Sequence, residues 1–189
     1  MSRAAGILMP ITSLPGKYGI GCFSKEAYAF IDWLKEAGQT YWQILPIHPT
    51  SYGDSPYQSF STFAGNPYFI DLEELIEEGM LTREECDSMD FGDDEDDIDY
   101  EDQYQNRYIL LSMAYERSNI SQNPDYQRFV EENRWWLDDY ALFMALKTFF
   151  NGQCWNEWPQ DIRLRWGYSM DYYRRELYFN IEFQMFLQY

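Results

Sequence analysis

One histidine and three cysteines in 189 residues leave little from which to build a metal centre. Zinc sites draw mainly on thiolates and imidazoles at close spacing, and His48 with the scattered Cys22, Cys86 and Cys154 offers no such set; no metal and no cofactor are expected. The same odd, dispersed cysteines exclude a disulfide framework and fit a reducing compartment. Cationic side chains are also scarce, 14 against 32 acidic ones, for a net charge of −18. A surface of that sign repels nucleic acid and anionic lipid, so neither is expected as a partner. Nor is there any apolar run near the roughly 20 residues needed to cross a bilayer. The stretch Ala4 to Met9 before Pro10 is shorter than the apolar region of a signal peptide and lacks its basic flank. A cytoplasmic protein is the simplest expectation.

What is abundant is apolar and aromatic. Hydrophobic residues make up 46% and aromatic residues 20% of the chain, ample for a packed core. Gly6 to Ile11 reads as a first short strand, followed by a turn-rich segment, Thr12 to Phe23, punctuated by Pro15-Gly16, Gly19 and Gly21. Ser24 is placed to cap a helix whose apolar positions, Ala27, Phe30, Ile31, Leu34 and Ala37, follow helical spacing up to Gly38. Tyr41 to Ile47 reads as a second strand, which completes a βαβ unit with parallel strands. Parallel sheets are found almost only inside larger covered sheets or closed barrels. With no further convincing strand, two strands cannot meet that need, and the pattern suggests the front part of something larger.

Downstream the pattern is helical. Leu72 to Glu78 is a short helix ended by Gly79, and Thr82 with Glu85 has the spacing of a capping box. Nine of the thirteen residues from Asp90 to Asp102 are acidic, without the glycine and terminal glutamate of a calcium-binding loop, so a solvated linker is expected. Tyr104, Tyr108, Leu111 and Tyr115 share one face and are expected in the core. A short helix carrying Phe129 and Val130 follows Pro124, and a separate apolar helix runs from Leu137 to Phe150, stopped by Asn151-Gly152. Trp155, Trp158 and Trp166 read either as core, the favoured reading, or as flat platforms for a ligand. The last segment, Tyr172 to Tyr189, stays apolar and aromatic without a stop signal.

The stretch from Tyr52 to Tyr68 leaves the carboxyl end of the second strand, where α/β folds bind ligands. Tyr52, Tyr57, Phe60, Phe63 and Tyr68 supply flat apolar faces, and Asp54, Ser55, Gln58, Ser59 and Asn66 supply short hydrogen-bonding groups between them. Two readings stay open on residue chemistry alone. One is an ordered loop whose polar groups satisfy its own backbone and whose aromatics are core; the other is a sugar site, because sugars offer C–H faces to rings and hydroxyls to fixed donors and acceptors.

The run Gly53 to Pro67, with Gly38-Gln39-Thr40-Tyr41-Trp42-Gln43-Ile44-Leu45-Pro46 upstream, closely resembles the amino-terminal signature of amylomaltases, the 4-α-glucanotransferases of the α-amylase superfamily. The resemblance begins near Arg3, is dense to about Gly79, and returns at Trp136-Leu137-Asp138-Asp139-Tyr140-Ala141-Leu142-Phe143 and at Trp155 with Trp158-Pro159. It implies an α/β fold: the first two strands of a (β/α)8 barrel within residues 1–70, then a mainly helical inserted subdomain over 71–189 with the acidic linker near 90–102. It implies a retaining double displacement on α-1,4-glucan, with the catalytic carboxylates on later strands beyond Tyr189, so no catalytic residue is assigned and the isolated segment is expected to be inactive. The expected partners are maltooligosaccharide and the remainder of the barrel. By position in the motif, Tyr57 resembles the family's aromatic platform beside the scissile bond and Ser55 its hydrogen-bonding neighbour. Asp54 and Gln58 are further candidates, and Tyr52 resembles a residue of a second glucan-binding groove. The alternative is a non-catalytic carbohydrate-binding or protein-interaction fragment.

Overall fold

In a computed structural model of the protein, which describes residues 3–51, 53–92, 94 and 96–189, both strands are shorter than their apolar runs. β1 (Gly6–Leu8) and β2 (Tyr41–Gln43) pair in parallel, Gly6 with Tyr41, Ile7 with Trp42 and Leu8 with Gln43. Pro10 and Pro46, which cannot donate to a ladder, follow closely on each. Between them lies α1 (Lys25–Glu36). Ser24 occupies its N-cap position but makes no side-chain cap hydrogen bond. Its far end closes through Gly38, at φ 71, with Gly38 N–H donating to Lys35 O at 3.1 Å and Gln39 N–H to Leu34 O at 2.9 Å. One face of this βαβ unit is packed: Ile11, Leu14, Ala27 and Phe69 are buried, with Phe30 and Trp42 against them. On the other face the described residues leave Leu8 and Tyr41 57% and 64% exposed.

The chain divides into two compact units, Met1–Ser118 and Asn119–Tyr189. The resemblance implies a different kind of boundary, near residue 70, between barrel and insertion. Residues beyond it group with the strands because polar side chains from a later helix tie them together. α2 (Leu72–Glu77) is capped by Asp71, and α3 (Arg83–Asp87) by the expected Thr82–Glu85 box. α4 (Tyr100–Asp102) runs through a π turn, Gln103–Arg107, into α5 (Tyr108–Arg117). That turn places Gln103 and Arg107 inward, 0% and 1% exposed. Gln103 Nε2 donates to Tyr18 O at 2.7 Å; Arg107 donates to Gln103 Oε1 and Ile70 O, both at 2.8 Å. Burial pulls the Arg107 guanidinium down to about 10, so it stays charged at neutral pH. Arg117 grips the Glu85 carboxylate with two bonds of 2.8 and 2.7 Å, and Arg83 grips Glu73 likewise at 2.8 and 2.6 Å.

The aromatic stripe and the acidic segment both depart from expectation. The buried face is Gln103, Arg107, Leu110, Leu111 and Ala114, whereas Tyr104 is exposed, because the π turn shifts the helical phase. The acidic segment is not wholly a solvated linker: among its described residues Phe91 is buried, its ring 5.7 Å from that of Tyr18, and Asp99 caps α4.

The unit Asn119–Tyr189 is all helical. α6 (Pro124–Phe149) is one unbroken helix of 26 residues where the sequence suggests two. Asn123 caps it, accepting from Asp125 N–H at 2.8 Å, and Arg134 bridges Glu131 and Asp138 one turn to either side across its polar middle. Leu137, Ala141, Leu142, Ala145 and Leu146 form its buried stripe. α7 (Gln160–Arg163), α8 (Gly167–Glu176) and α9 (Tyr178–Gln188) complete the core with Ile162, Met170, Ile181 and Met185. The tail expected as one segment breaks at Leu177. Of the three tryptophans expected in the core only Trp158 is buried; Trp155 and Trp166 are 56% and 42% exposed. No described helix is long and apolar enough to cross a membrane.

Candidate functional site

The loop after β2 is clamped at its base and pinched at its tip. Asn66 N–H donates to Ile47 O at 2.9 Å, and Ser51 N–H to Gln58 O at 3.1 Å. Within the tip, Asp54 N–H donates to Ser51 O at 3.1 Å and Gln58 N–H to Ser55 O at 3.0 Å. Gly53 and Asp54 both take left-handed backbone, φ 82 and 51, which turns the chain sharply enough to present the next residues outward. Serines finish the descent: Ser59 Oγ donates to Ser61 O at 2.7 Å, and Ser61 Oγ accepts from Phe63 and Ala64 N–H at 3.3 and 3.1 Å. The polar groups of the loop thus do satisfy its own backbone, as one of the two readings expects. They do so while leaving the Tyr57 ring 74% exposed, with Phe63 at 57%, so these aromatics are not core.

The candidate residues divide into two groups. Tyr57 and Gln58 stand on the outer surface of the loop, and Ser55 is half-buried beside them. Asp54 turns the other way, accepting from Thr50 Oγ1 at 3.2 Å, and lines a cavity of about 140 Å³ with Thr12, Asn66, Tyr68 and Tyr100. Tyr52 lies outside the described residues. Tyr68 and Tyr100, their rings 6.1 Å apart, have hydroxyls held above the usual phenol range, first by burial and then by the negative charge of Asp54. Both therefore remain neutral donors beside a carboxylate acceptor. Tyr100 escapes sequence reasoning because it arrives from the start of α4, inside the acidic stretch; its only local signal is the capping aspartate before it.

Such a site can hold a polyhydroxylated ligand by ring faces and by donor–acceptor pairs. Among the described residues no group of three or more His, Cys, Asp or Glu is placed to hold a metal ion.

Comparison with known proteins supplies the remaining evidence. A family model described as 4-alpha-glucanotransferase matches residues 9–189. The chain is 49% identical over 181 residues to a 4-alpha-glucanotransferase of Clostridium butyricum, covering 96% of this chain and 37% of that protein. It is 47% identical over 169 residues to one from Thermus thermophilus, covering 87% of this chain and 33% of that protein. Among solved structures, an amylomaltase from Streptococcus agalactiae in complex with acarbose superposes with a TM-score of 0.92 at 39% identity, over 100% of this chain and 38% of that one. An amylomaltase from Corynebacterium glutamicum, at 20% identity and TM-score 0.69, shares the fold. The chain thus spans between 26% and 38% of the length of these relatives, and it belongs to the 4-alpha-glucanotransferase family.

Proposed function

We propose that the chain is the amino-terminal part of a 4-α-glucanotransferase that moves α-1,4-glucan segments between maltodextrins. Family membership carries this reading, and the exposed Tyr57 ring on a clamped loop at the end of β2 supports it. β1 and β2 are then the first two strands of a (β/α)8 barrel, residues 71–189 are the insertion after the second, and the uncovered side chains of Leu8 and Tyr41 lie where neighbouring barrel elements would pack. The three free cysteines suit the reducing cytoplasm.

In this reading the chain binds and orients; the acids that do the chemistry belong to the rest of the protein. Tyr57 gives a glucose ring a flat seat with Ser55 and Gln58 beside it for hydroxyls, while Asp54, on the opposite side of the loop, offers a second hydrogen-bonding position in the cavity with Tyr68 and Tyr100. A retaining reaction needs a carboxylate nucleophile and a carboxylic acid about 5–5.5 Å apart. A sugar held on a platform also excludes water, so that a second glucan's 4-hydroxyl takes the glycosyl group in its place.

The direct test mixes this chain with the complementary carboxyl-terminal part and follows glucose release from maltotriose. Either part alone should release none and the pair should regain activity. Glucan binding by the pair without transfer would favour the non-catalytic alternative. In the complete enzyme Tyr57→Ala should lower kcat/KM for maltotriose by about 10- to 100-fold, corresponding to roughly 1–3 kcal/mol of lost ring contact; unchanged kinetics would remove Tyr57 from the site.

A further inference from the structure

The helical unit Asn119–Tyr189 has a cleft of its own, about 320 Å³, which the reading above does not use. Its floor is apolar, formed by Leu142, Leu146 and Ile162; one wall is the half-exposed indole of Trp155, and a polar edge is set by Arg165 and Asp139. Arg165 Nη2 donates to Asp139 Oδ1 at 2.6 Å, leaving a forked donor beside a carboxylate with both side chains more than half exposed. An apolar floor of this volume with a few convergent polar groups is the usual make-up of a small-molecule site.

The backbone at Arg165 adds to this. Three helices, α1, α2 and α6, end with the same pair of reverse hydrogen bonds, and the residue in the left-handed position is Gly38, Gly79 or Asn151. α7 ends the same way, with Arg165 N–H donating to Ile162 O at 3.0 Å and Trp166 N–H to Asp161 O at 2.9 Å, yet the left-handed residue there is Arg165, at φ 55. That conformation suits glycine or asparagine and disfavours a long side chain. The backbone therefore gives no reason for arginine, and the side chain's place at the cleft edge does.

We propose that this cleft is a further carbohydrate site, separate from the loop after β2 and from the groove whose residue Tyr52 resembles, which docks a segment of α-1,4-glucan through the Trp155 face and the Arg165–Asp139 pair. The glucan identity rests on the function proposed above. A neutral polyol fits the local charge: Arg165 is already engaged by Asp139, the second edge guanidinium, Arg163, donates to Asn156 O at 3.0 Å, and the floor is apolar. A flat sugar face covers Trp155 while vicinal hydroxyls accept from the guanidinium and donate to the carboxylate.

The experiment titrates the 189-residue chain with maltohexaose and follows the indole N–H resonances of Trp155 and Trp158 by NMR. Both should shift saturably. Arg165→Gly is the informative variant, because glycine suits the backbone there; it should weaken binding tenfold or more while leaving the unfolding midpoint unchanged or raised. Trp155→Phe, which keeps a ring, should retain most of the Trp158 response, and Tyr57→Ala should leave both responses intact. Absence of a saturable shift, or equal affinity in Arg165→Gly, overturns the cleft whether or not the reconstituted enzyme transfers glucan. A saturable shift with inorganic phosphate in place of maltohexaose overturns it in favour of an anion site. Shifts as expected without transfer by the reconstituted enzyme would leave a sugar site standing and sink the transferase reading instead.

Discussion

The two units solve the problem of a stable interior in opposite ways. Asn119–Tyr189 is helical throughout, so its backbone groups largely satisfy each other, and the stripe of α6 from Leu137 to Leu146 can be entirely apolar. Met1–Ser118 is rich in loops, and its carbonyls need outside donors. Arg107 and Gln103 provide them from inside, and two bidentate arginine–glutamate pairs provide ties at the surface. A unit that must display a loop such as 51–68 cannot close its interior with greasy side chains alone.

Breaking each interior should separate the units. The largest effect is expected from Arg107→Ala, which leaves the carbonyls of Ile70 and Tyr18 and the Gln103 amide underpartnered in a sealed space. A loss of about 3–5 kcal/mol is expected. Amide hydrogen exchange should report it in residues 3–118 and not in the core of α6; equal loosening of both would abolish the contrast. Leu142→Ala is the mirror experiment. Removing a side chain 2% exposed beneath α6 should cost about 2–4 kcal/mol, with faster exchange confined to 119–189.

The smallest effect sharpens the comparison through pH. Arg83, with help from Tyr18, holds the Glu73 carboxyl down at about 2 from an ordinary 4.5. A depressed carboxyl contributes stability that is complete above its unfolded value and is lost as pH falls through the folded one. The unit Met1–Ser118 should therefore weaken between about 4.5 and about 2. Asp71, raised mainly by burial, opposes this in part. Glu73→Gln should flatten the acid limb in urea unfolding, at a cost near neutrality of about 1 kcal/mol or less, since the pair is partly solvated. An unchanged acid limb in that variant would assign the pH dependence to other groups.

The parts of the fold that are legible in the sequence are those governed by neighbours along the chain. The βαβ order, the Gly38 and Gly79 stops and the Thr82–Glu85 box all appear where local spacing puts them. The misreadings have longer-range causes. α6 reads as divided because Glu131-Glu132-Asn133-Arg134 interrupts its apolar pattern, and the ion pairs that carry it through are invisible to hydropathy. Trp155 and Trp166 read as core by composition, yet they flank a helix too short to bury them. At the candidate site, Asp54 and Tyr57 can be named from the loop, but their opposite orientations come from left-handed backbone at Asp54, and the contribution of Tyr100 depends on tertiary folding.

The wide turn at Gln103–Arg107 has one more implication. It works as a phase-setter for α5, because each residue of an ordinary helix advances roughly 100° around the axis. A π turn holds one residue more than an α turn, so trimming a single residue there should close it to an ordinary turn with Leu110, Leu111 and Ala114 still in their seats, whereas inserting one should swing them about a quarter-turn away.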